Sequence, residues 1–324
     1  MPGEALASCS HRMALISQLR YPTTRYAKLI TASLALLVFA LLAAITLSAF
    51  LLLRILSPVQ NRADIDTKGF PGHPEAVSFA VPGVGIREGW FFPGLRTAPT
   101  IILCHGYQSN RGELLTLVTA LQDHQYNVFL FDFSSHGGSP GYTTLGYRES
   151  LELRAAIDAM ARRDDVDRNR FGLWGANLGG YVALAAAAAD SRVRALAVDS
   201  VYDRPVDMLL LQLHRSGLGG PPLIERFVRL GFSSLNRSYR QEPPLSQRLP
   251  RLAGVAKLYI SAGDDPELAQ STRELFVRSP GPREQVILAK GNYAGMLDEE
   301  KRSYENRIVS FFLFNLPPTV RSHH

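Results

Sequence analysis

The chain has 324 residues, of which 46% are hydrophobic and 20% are charged, a composition typical of a folded protein rather than a disordered one. Its formal net charge is +6, but the basic residues form no stripe with interleaved aromatic residues, which excludes a nucleic-acid partner. Two cysteines, Cys9 and Cys104, are too few for a disulfide scaffold or a multi-cysteine metal site, and we expect no metal and no cofactor.

Residues 29–53 form an uncharged apolar run. About 20 apolar helical residues cross a bilayer core of about 30 Å, so this run is long enough to contact and span the lipid bilayer. The competing interpretation is a cleaved signal peptide, whose apolar core has about 7–15 residues and ends at a small-x-small site. This run is longer and lacks that site, and we therefore predict a tail over 1–28, a transmembrane signal anchor over 29–53 and a linker over 54–75.

Positive charge on the two sides of this run predicts its orientation. Four basic residues precede the run and three follow it closely: Arg12, Arg20, Arg25 and Lys28, then Arg54, Arg62 and Lys68. The positive-inside rule then predicts a cytoplasmic N-terminus and a globular domain outside the cytoplasm, which in a bacterium is the periplasm. Translation from Met13 would remove this bias.

After the linker, short apolar segments alternate with longer helical segments. The predicted strands are 100–104, 126–132, 171–174, 193–198, 257–261 and 284–288, and the predicted helices are 112–122, 147–162, 178–189, 267–277 and 304–316. Nearly continuous apolar strands that alternate with helices indicate an α/β domain over 76–324, with a mainly parallel twisted sheet and helices on both faces. Residues 76–92 predict an antiparallel hairpin at one edge.

Residues 206–252 interrupt this alternation with two apolar-striped segments, 208–213 and 223–230, which are joined by a Gly- and Pro-rich turn. The pattern predicts a helical cap inserted over the ends of the strands. Such a cap either gates a substrate site or only covers the sheet from solvent, and the sequence leaves both interpretations open.

Three motifs lie at the ends of predicted strands. They are His105-Gly106-Tyr107, the stretch from Asp132 to Gly141, and Gly175-Ala176-Asn177-Leu178-Gly179 before an Ala-rich helix. In this pattern and order they resemble the α/β-hydrolase family of serine esterases and peptidases. The resemblance implies a Gly-x-nucleophile-x-Gly elbow centred on residue 177, with oxyanion N–H donors at Leu178 and Tyr107.

At the nucleophile position this sequence has Asn177 where the family has serine, and an amide is a poor nucleophile. The stretch 137–141 also fits Gly-x-Ser-x-Gly, but Pro140 has no N–H to offer an oxyanion, so we interpret Ser139 as a turn residue.

The resemblance also places an acid after the penultimate strand and a histidine after the last strand. Asp265 best fits the acid position, but no histidine lies between His214 and His323. Asn292 is the best match for the missing histidine, and Tyr293 is the alternative. Because a Ser–His pair acts as a unit, losing both members indicates a site without acyl-transfer chemistry.

The remaining polar residues receive structural interpretations. Cys104 is interpreted as a buried thiol, His105 and His136 as hydrogen-bonded turn residues, and Asp199 and Asp203 as capping or turn residues. Four arginines of the cap region are interpreted as solvating its outer face or contacting anionic lipid: Arg226, Arg229, Arg237 and Arg240.

Two functions remain open. The first is a degenerate, membrane-tethered member of the family, a pseudoenzyme that binds a small acyl or carboxylate ligand or a protein partner. The second is an active hydrolase of esters, thioesters or peptides, as the family implies, in which Asp265 or Asp199 activates water. A third route, conversion of Asn177 to an aspartate nucleophile, is disfavoured because Leu178 slows succinimide formation.

Overall fold

A computed structural model describes residues 25–59, 74–217, 220–291 and 293–318. Its first element is a 32-residue helix, α1 (Arg25–Leu56). This helix is long and apolar enough to cross a membrane, with a mean hydropathy of 2.8 in its most apolar window. Among the residues described, one helix near the N-terminus is thus of the kind found in membrane anchors and in signal sequences.

The strands form a single eight-stranded sheet in the order β1-β2-β4-β3-β5-β6-β7-β8. β1 pairs antiparallel with β2, β2 pairs antiparallel with β4, and all other neighbours are parallel. The bounds are β1 Glu75–Val81, β2 Gly85–Phe92, β3 Thr100–Cys104, β4 Asn127–Phe131, β5 Phe171–Ala176, β6 Val193–Asp199, β7 Ala256–Ala262 and β8 Arg283–Leu288. The predicted mainly parallel sheet and its edge hairpin are confirmed.

Helices cover both faces of this sheet. Their bounds are α2 Leu115–Gln122, α3 Tyr147–Ala161, α4 Leu178–Ala187, α5 Pro205–Arg215, α6 Pro222–Leu235, α7 Leu245–Arg248, α8 Pro266–Arg278 and α9 Asp298–Asn315. Short 3₁₀ turns lie at Arg111–Leu114, Arg237–Tyr239, Leu249–Leu252 and Tyr293–Gly295. The last helix begins six residues before its predicted start. Its first turn is acidic, which suits a helix N-terminus. The same acidic residues interrupt the apolar periodicity from which the start of the helix was predicted.

The mostly apolar sequence of the central strands suits their position in the sheet, where every residue of β3, β4 and β7 is buried. One core cluster joins the sheet to α3, α4 and α8, and a second cluster joins the opposite face to α2 and α9. The carboxyl ends of the parallel strands therefore meet at one edge, where the loops after β3, β5, β6, β7 and β8 converge.

The two apolar stripes predicted for the cap lie on α5 and α6, which follow β6. The face of α6 that bears Ile224, Val228 and Phe232 is buried, and it packs against the C-terminal part of α1. At this contact, a Cβ on Gly231 would lie 2.8 Å from a methyl carbon of Leu52. The cap region thus covers the end of the N-terminal helix as well as the sheet.

The end of α1 is built into the domain. Leu51, Leu52, Ile55 and Leu56 are buried in the first core cluster. The Tyr107 hydroxyl donates to the Ile55 carbonyl at 2.8 Å, and the Thr143 N–H donates to the Leu56 carbonyl at 2.8 Å. These two bonds satisfy carbonyls that a helix end leaves unpaired.

The helix continues through Leu56, so the first three residues of the predicted linker are helical. Residues 60–73 of that linker and residues 1–24 of the predicted tail lie outside the described residues.

Candidate functional site

The turn between β5 and α4 is a sharp elbow centred on Asn177, whose backbone has φ 35° and ψ −96°. Glycine is required on both sides of it. A Cβ on Gly175 would lie 2.3 Å from the Gly179 carbonyl carbon, and a Cβ on Gly179 would lie 2.0 Å from the Cys104 carbonyl oxygen. A positive φ at a non-glycine residue stores strain, which is common where a turn presents a functional side chain.

The two predicted oxyanion donors, Tyr107 and Leu178, come together at this elbow, and both bind the side chain of Asn177. The Tyr107 N–H and the Leu178 N–H each donate to Asn177 Oδ1 at 2.6 Å. The amide oxygen of Asn177, and not its nitrogen, must face these two N–H groups, because only the oxygen accepts hydrogen bonds. The predicted oxyanion hole is therefore filled by a neutral oxygen of the protein itself.

His105 holds the loop that carries one of these donors. Its Nδ1 lies 2.8 Å from the Gly106 carbonyl oxygen, and its Nε2 accepts from the Phe133 N–H at 3.0 Å. Both contacts fit a single neutral tautomer with the proton on Nδ1. Burial lowers the pKa of His105 to about 4. Its predicted structural role is confirmed.

His136 is also buried, and its Nδ1 lies 2.9 Å from the Ser134 carbonyl oxygen. Burial, with repulsion from a protonated His105, lowers its pKa to about 4. Both histidines are therefore neutral near pH 7 and contribute to the stability of the turns around the elbow.

Because the pKa values of both histidines are lowered in the folded protein, we expect acid to lower its free energy of unfolding. Between about pH 6.5 and pH 4 the unfolded chain binds protons at His105 and His136 that the folded chain does not, so the free energy of unfolding falls as the pH falls. Burial raises the pKa of Asp199 to about 6. Between pH 6 and pH 3.8 the folded chain therefore binds a proton at Asp199 that the unfolded chain does not, which increases the free energy of unfolding as the pH falls and opposes the histidines. Burial also raises the pKa values of Asp132, Glu152 and Asp207, which oppose the trend in the same way, so the histidine contribution has to be isolated by substitution. Urea unfolding at pH 7 and pH 4.5 measures the pH dependence.

A matched pair of variants isolates the histidine contribution. His136→Asn is expected to flatten the pH dependence, whereas His124→Asn, which changes an exposed side chain, leaves it as in the wild type. An equal pH dependence of the free energy of unfolding in His136→Asn and in the wild type contradicts the assignment.

Asp265, the predicted acid, lies at the start of α8. Its Oδ2 pairs with Arg215 of α5 at 2.6 Å, and its Oδ1 accepts from the Leu268 N–H at 3.3 Å. The carboxylate therefore joins the cap to the sheet domain and caps α8. The neighbouring Asp264 accepts from the Gly291 N–H at 2.8 Å.

Of the two residues predicted for the histidine position, Asn292 lies outside the described residues. Tyr293 is buried in the core. Its hydroxyl donates to Glu305 Oε1 at 2.6 Å and lies 3.0 Å from the Thr116 hydroxyl, while its ring contacts Trp174 at a centroid distance of 5.2 Å. These contacts give Tyr293 a packing role.

Ser200 is the site residue that the sequence analysis did not identify. It follows β6 with a φ of 54°, and its hydroxyl donates to Asp199 Oδ1 at 2.7 Å. The Tyr304 hydroxyl donates to Asp199 Oδ2 at 2.9 Å. An Asp-Ser pair directly after a buried strand was the available signal, and a capping or turn role was predicted for Asp199 instead. Asp203 does have that role, since it accepts from the Ser246 N–H at 2.7 Å.

A cavity of about 270 Å³ opens between the elbow and the cap. Asn177, Ser200 and Arg215 line it, together with Asp264 and Asp265. A smaller cavity of about 60 Å³ lies between Asn177 and Tyr293 and also touches Asp199. The larger cavity thus contains one cationic and two anionic side chains.

The interpretations of Ser139 as a turn residue and of Cys104 as a buried thiol are also confirmed. The Ser139 hydroxyl donates to the Asp132 carbonyl at 2.8 Å within its turn. Cys104 is fully buried, and burial raises the pKa of its thiol far above the usual range.

Comparisons with known proteins bear on the fold. A family described as alpha/beta hydrolase fold matches residues 99–243. The uncharacterized protein YfhR of Escherichia coli O157:H7 is 26% identical over 259 residues, which cover 76% of this chain and 84% of YfhR. The uncharacterized protein YqkD of Bacillus subtilis is 26% identical over 254 residues, 73% of this chain and 79% of YqkD.

Solved structures share the fold at low sequence identity. An esterase of Pyrococcus furiosus has a TM-score of 0.65 and 20% identity, and the match covers 81% of this chain and 98% of the esterase. A dienelactone hydrolase of Anabaena variabilis has a TM-score of 0.54 and 17% identity, over 75% of this chain and 98% of that enzyme.

Proposed function

We propose that this chain is a membrane-anchored member of the α/β-hydrolase superfamily that binds a small acyl ligand through Asn177 instead of hydrolysing it. One observation carries the proposal. Asn177 Oδ1 accepts from both oxyanion donors at 2.6 Å, in the place that a tetrahedral intermediate would need. The side chain that replaces the nucleophile thus also blocks the group that would stabilise the transition state.

The same contacts make Asn177 a hydrogen-bond donor towards the cavity. With its oxygen held by two N–H groups, the amide is polarised, which strengthens the donors on Nδ2. An acyl carbonyl oxygen is the acceptor that suits such a donor. Because Asp264 and Asp265 outnumber Arg215 in the cavity, a neutral ester, thioester or amide carbonyl fits better than a free carboxylate.

None of the described histidines is placed to act as a general base at Asn177. Within the described ranges there are four, His105, His124, His136 and His214, and none lines the cavity at Asn177. His105 and His136 are buried, with their Nδ1 atoms on backbone carbonyl oxygens. The acid position is likewise engaged, because Asp265 pairs with Arg215.

The apolar helix supports the membrane part of the proposal. Its residues between Leu29 and Ile45 are mostly exposed and apolar, which suits lipid rather than water. The excess of basic residues before the span favours a cytoplasmic N-terminus, with the α/β domain on the other side of the membrane.

A fluorophosphonate probe applied to the purified full-length chain in detergent tests the absence of a nucleophile. We expect no labelled serine, because no serine lies at the elbow. Titration with butyramide, followed by tryptophan fluorescence, tests binding. Asn177→Asp keeps the oxygen in the oxyanion hole but removes the Nδ2 donor, and is expected to weaken binding about tenfold. Equal binding by the wild type and Asn177→Asp contradicts the assigned role of Asn177.

The second candidate function, an active hydrolase, is favoured by Asp199 and Ser200. The pKa of Asp199 is raised to about 6 by burial, and its carboxylate holds the hydroxyl of a backbone-strained serine that lines the same cavity. In that case the fluorophosphonate labels Ser200, and Asp199→Asn abolishes the labelling.

A further inference from the structure

A second cavity, of about 490 Å³, lies on another side of the cap and shares no lining residue with the cavity at Asn177. Three arginines line it: Arg204 before α5, Arg229 on α6 and Arg240 after α6. Tyr147 and Phe232 supply apolar wall, with ring centroids 6.5 Å apart. The cavity therefore combines guanidinium groups with an apolar surface.

Positive charge is in excess around this cavity. Glu225 pairs with Arg229 at 2.8 Å, and Glu242 on the cavity wall pairs with Arg248. Asp207 receives the Arg204 backbone N–H at 2.9 Å, and its carboxylate also interacts electrostatically with the Arg204 and Arg229 side chains without forming an ion pair with either. Among the residues that the structure describes, neither Arg204 nor Arg240 forms a side-chain ion pair. Two guanidinium groups thus remain available for an anion.

The position of this cavity relative to the membrane follows from the docked helix. Starting at Leu29, about 20 residues of α1 reach Ser48 and cross a bilayer core of about 30 Å. The Ser48 hydroxyl lies 3.4 Å from the Ile224 carbonyl in the first turn of α6, and Leu52 lies against Gly231. The first two turns of α6 are therefore level with the membrane surface, and Arg229 belongs to the second of these turns.

The outer face of α6 has the character of a membrane-surface helix. Leu223 and Leu230 are exposed there, Leu230 by 65%, whereas Ile224, Val228 and Phe232 on the opposite face are buried. Exposed leucines beside arginines suit the boundary between lipid chains and head groups. The bonds of Tyr107 and Thr143 to the end of α1 hold the domain in this orientation.

From these observations, and resting on the proposed membrane anchoring, we propose that the cavity lined by Arg204, Arg229 and Arg240 binds the phosphate head group of an anionic membrane lipid. The guanidinium groups contact the phosphate oxygens, and the apolar wall at Tyr147 and Phe232 contacts the adjoining glycerol and acyl carbons. The cap then joins the domain to the bilayer surface as well as to α1.

The test uses the full-length chain in a neutral detergent, titrated with phosphatidylglycerol or with phosphatidylcholine while thermal unfolding is followed. Phosphatidylglycerol is expected to raise the unfolding midpoint by several degrees, and phosphatidylcholine is expected to leave it unchanged. Combined Arg204→Gln, Arg229→Gln and Arg240→Gln substitutions are expected to lower the affinity for phosphatidylglycerol roughly 10- to 100-fold.

The matched control carries Arg273→Gln, Arg278→Gln and Arg302→Gln, which remove the same charge from exposed positions on α8 and α9. This control is expected to respond to phosphatidylglycerol as the wild type does. An equal response to both lipids, or an equal loss in both triple variants, overturns the proposal. If glycerol phosphate alone shifts the unfolding midpoint by the same amount, the ligand is a free phosphate compound and not a membrane lipid.

Failure of the membrane anchoring is recognised separately, by carbonate extraction of membranes that contain the full chain. Retention in the membrane without any lipid selectivity rejects only the head-group site. Release of the chain into the soluble fraction rejects the anchoring on which the site rests.

Discussion

A chain that begins at Ser57 is expected to be unfolded or aggregated, although it contains all eight strands. It lacks Leu51, Leu52, Ile55 and Leu56, which are buried in the main core cluster. At about 1.5–3 kcal/mol for each buried aliphatic side chain, the loss is roughly 6–12 kcal/mol, which is comparable to the entire stability of a typical domain. The truncation also exposes the apolar face of α6.

The matched control begins at Ala43. It removes most of the exposed span and keeps the part of α1 that contacts α6 and the sheet domain. Soluble yield, circular dichroism and urea unfolding compare the two chains, both with a solubilising fusion that is cleaved before measurement. If the free energies of unfolding agree within about 1 kcal/mol, the end of α1 has no structural role.

The double variant Asn177→Ser with Asn292→His is expected to gain ester hydrolysis of about 10²–10⁴-fold over the wild type. A serine side chain is too short to fill the oxyanion hole from position 177, so the Tyr107 and Leu178 N–H groups become free for the substrate oxygen. The choice of Asn292 rests on the sequence. Turnover of p-nitrophenyl butyrate by the full-length chain measures the gain.

Each single substitution is expected to stay near the background rate, because nucleophile and base act as a unit. The control Asn177→Ser with Asn292→Gln has the same nucleophile and no imidazole. A folded double variant that is no more active than this control contradicts the placement of the lost histidine at 292.

The sheet was predictable from the sequence because its central strands are buried on both faces. The runs at 100–104 and 257–261, which are apolar apart from Thr100, Lys257 and Ser261, therefore left a strong signal, and both strands lie where they were predicted. The elbow was equally predictable, since Gly175 and Gly179 occupy positions where a Cβ would collide with backbone atoms.

The docking of α1 was not predictable. A helix that is apolar on every side shows no stripe that could mark its buried face, so the sequence does not distinguish Leu52, which is buried, from Leu53, which is exposed. The bond between Tyr107 and Ile55 joins residues that are 52 positions apart and leaves no local pattern.

At the site, the sequence predicted Asn177 at the nucleophile position but not the contacts of its side chain. That Asn177 Oδ1 fills the oxyanion hole depends on the distance between two separate loops. The ion pair of Asp265 likewise depends on Arg215, which lies 50 residues earlier on α5. The signal at Asp199 and Ser200 was weak, because Asp-Ser after a strand is also a common turn sequence.

Turnover of short-chain p-nitrophenyl esters and acyl thioesters by the full-length wild type, measured beside Asn177→Ala, shows whether the site at Asn177 binds without hydrolysing. With the oxyanion hole filled by Asn177, we predict no turnover above the uncatalysed rate in the wild type, and none in the variant, which has neither nucleophile nor base. Turnover by the wild type that falls in Asn177→Ala would contradict the account, because Asn177 would then take part in catalysis.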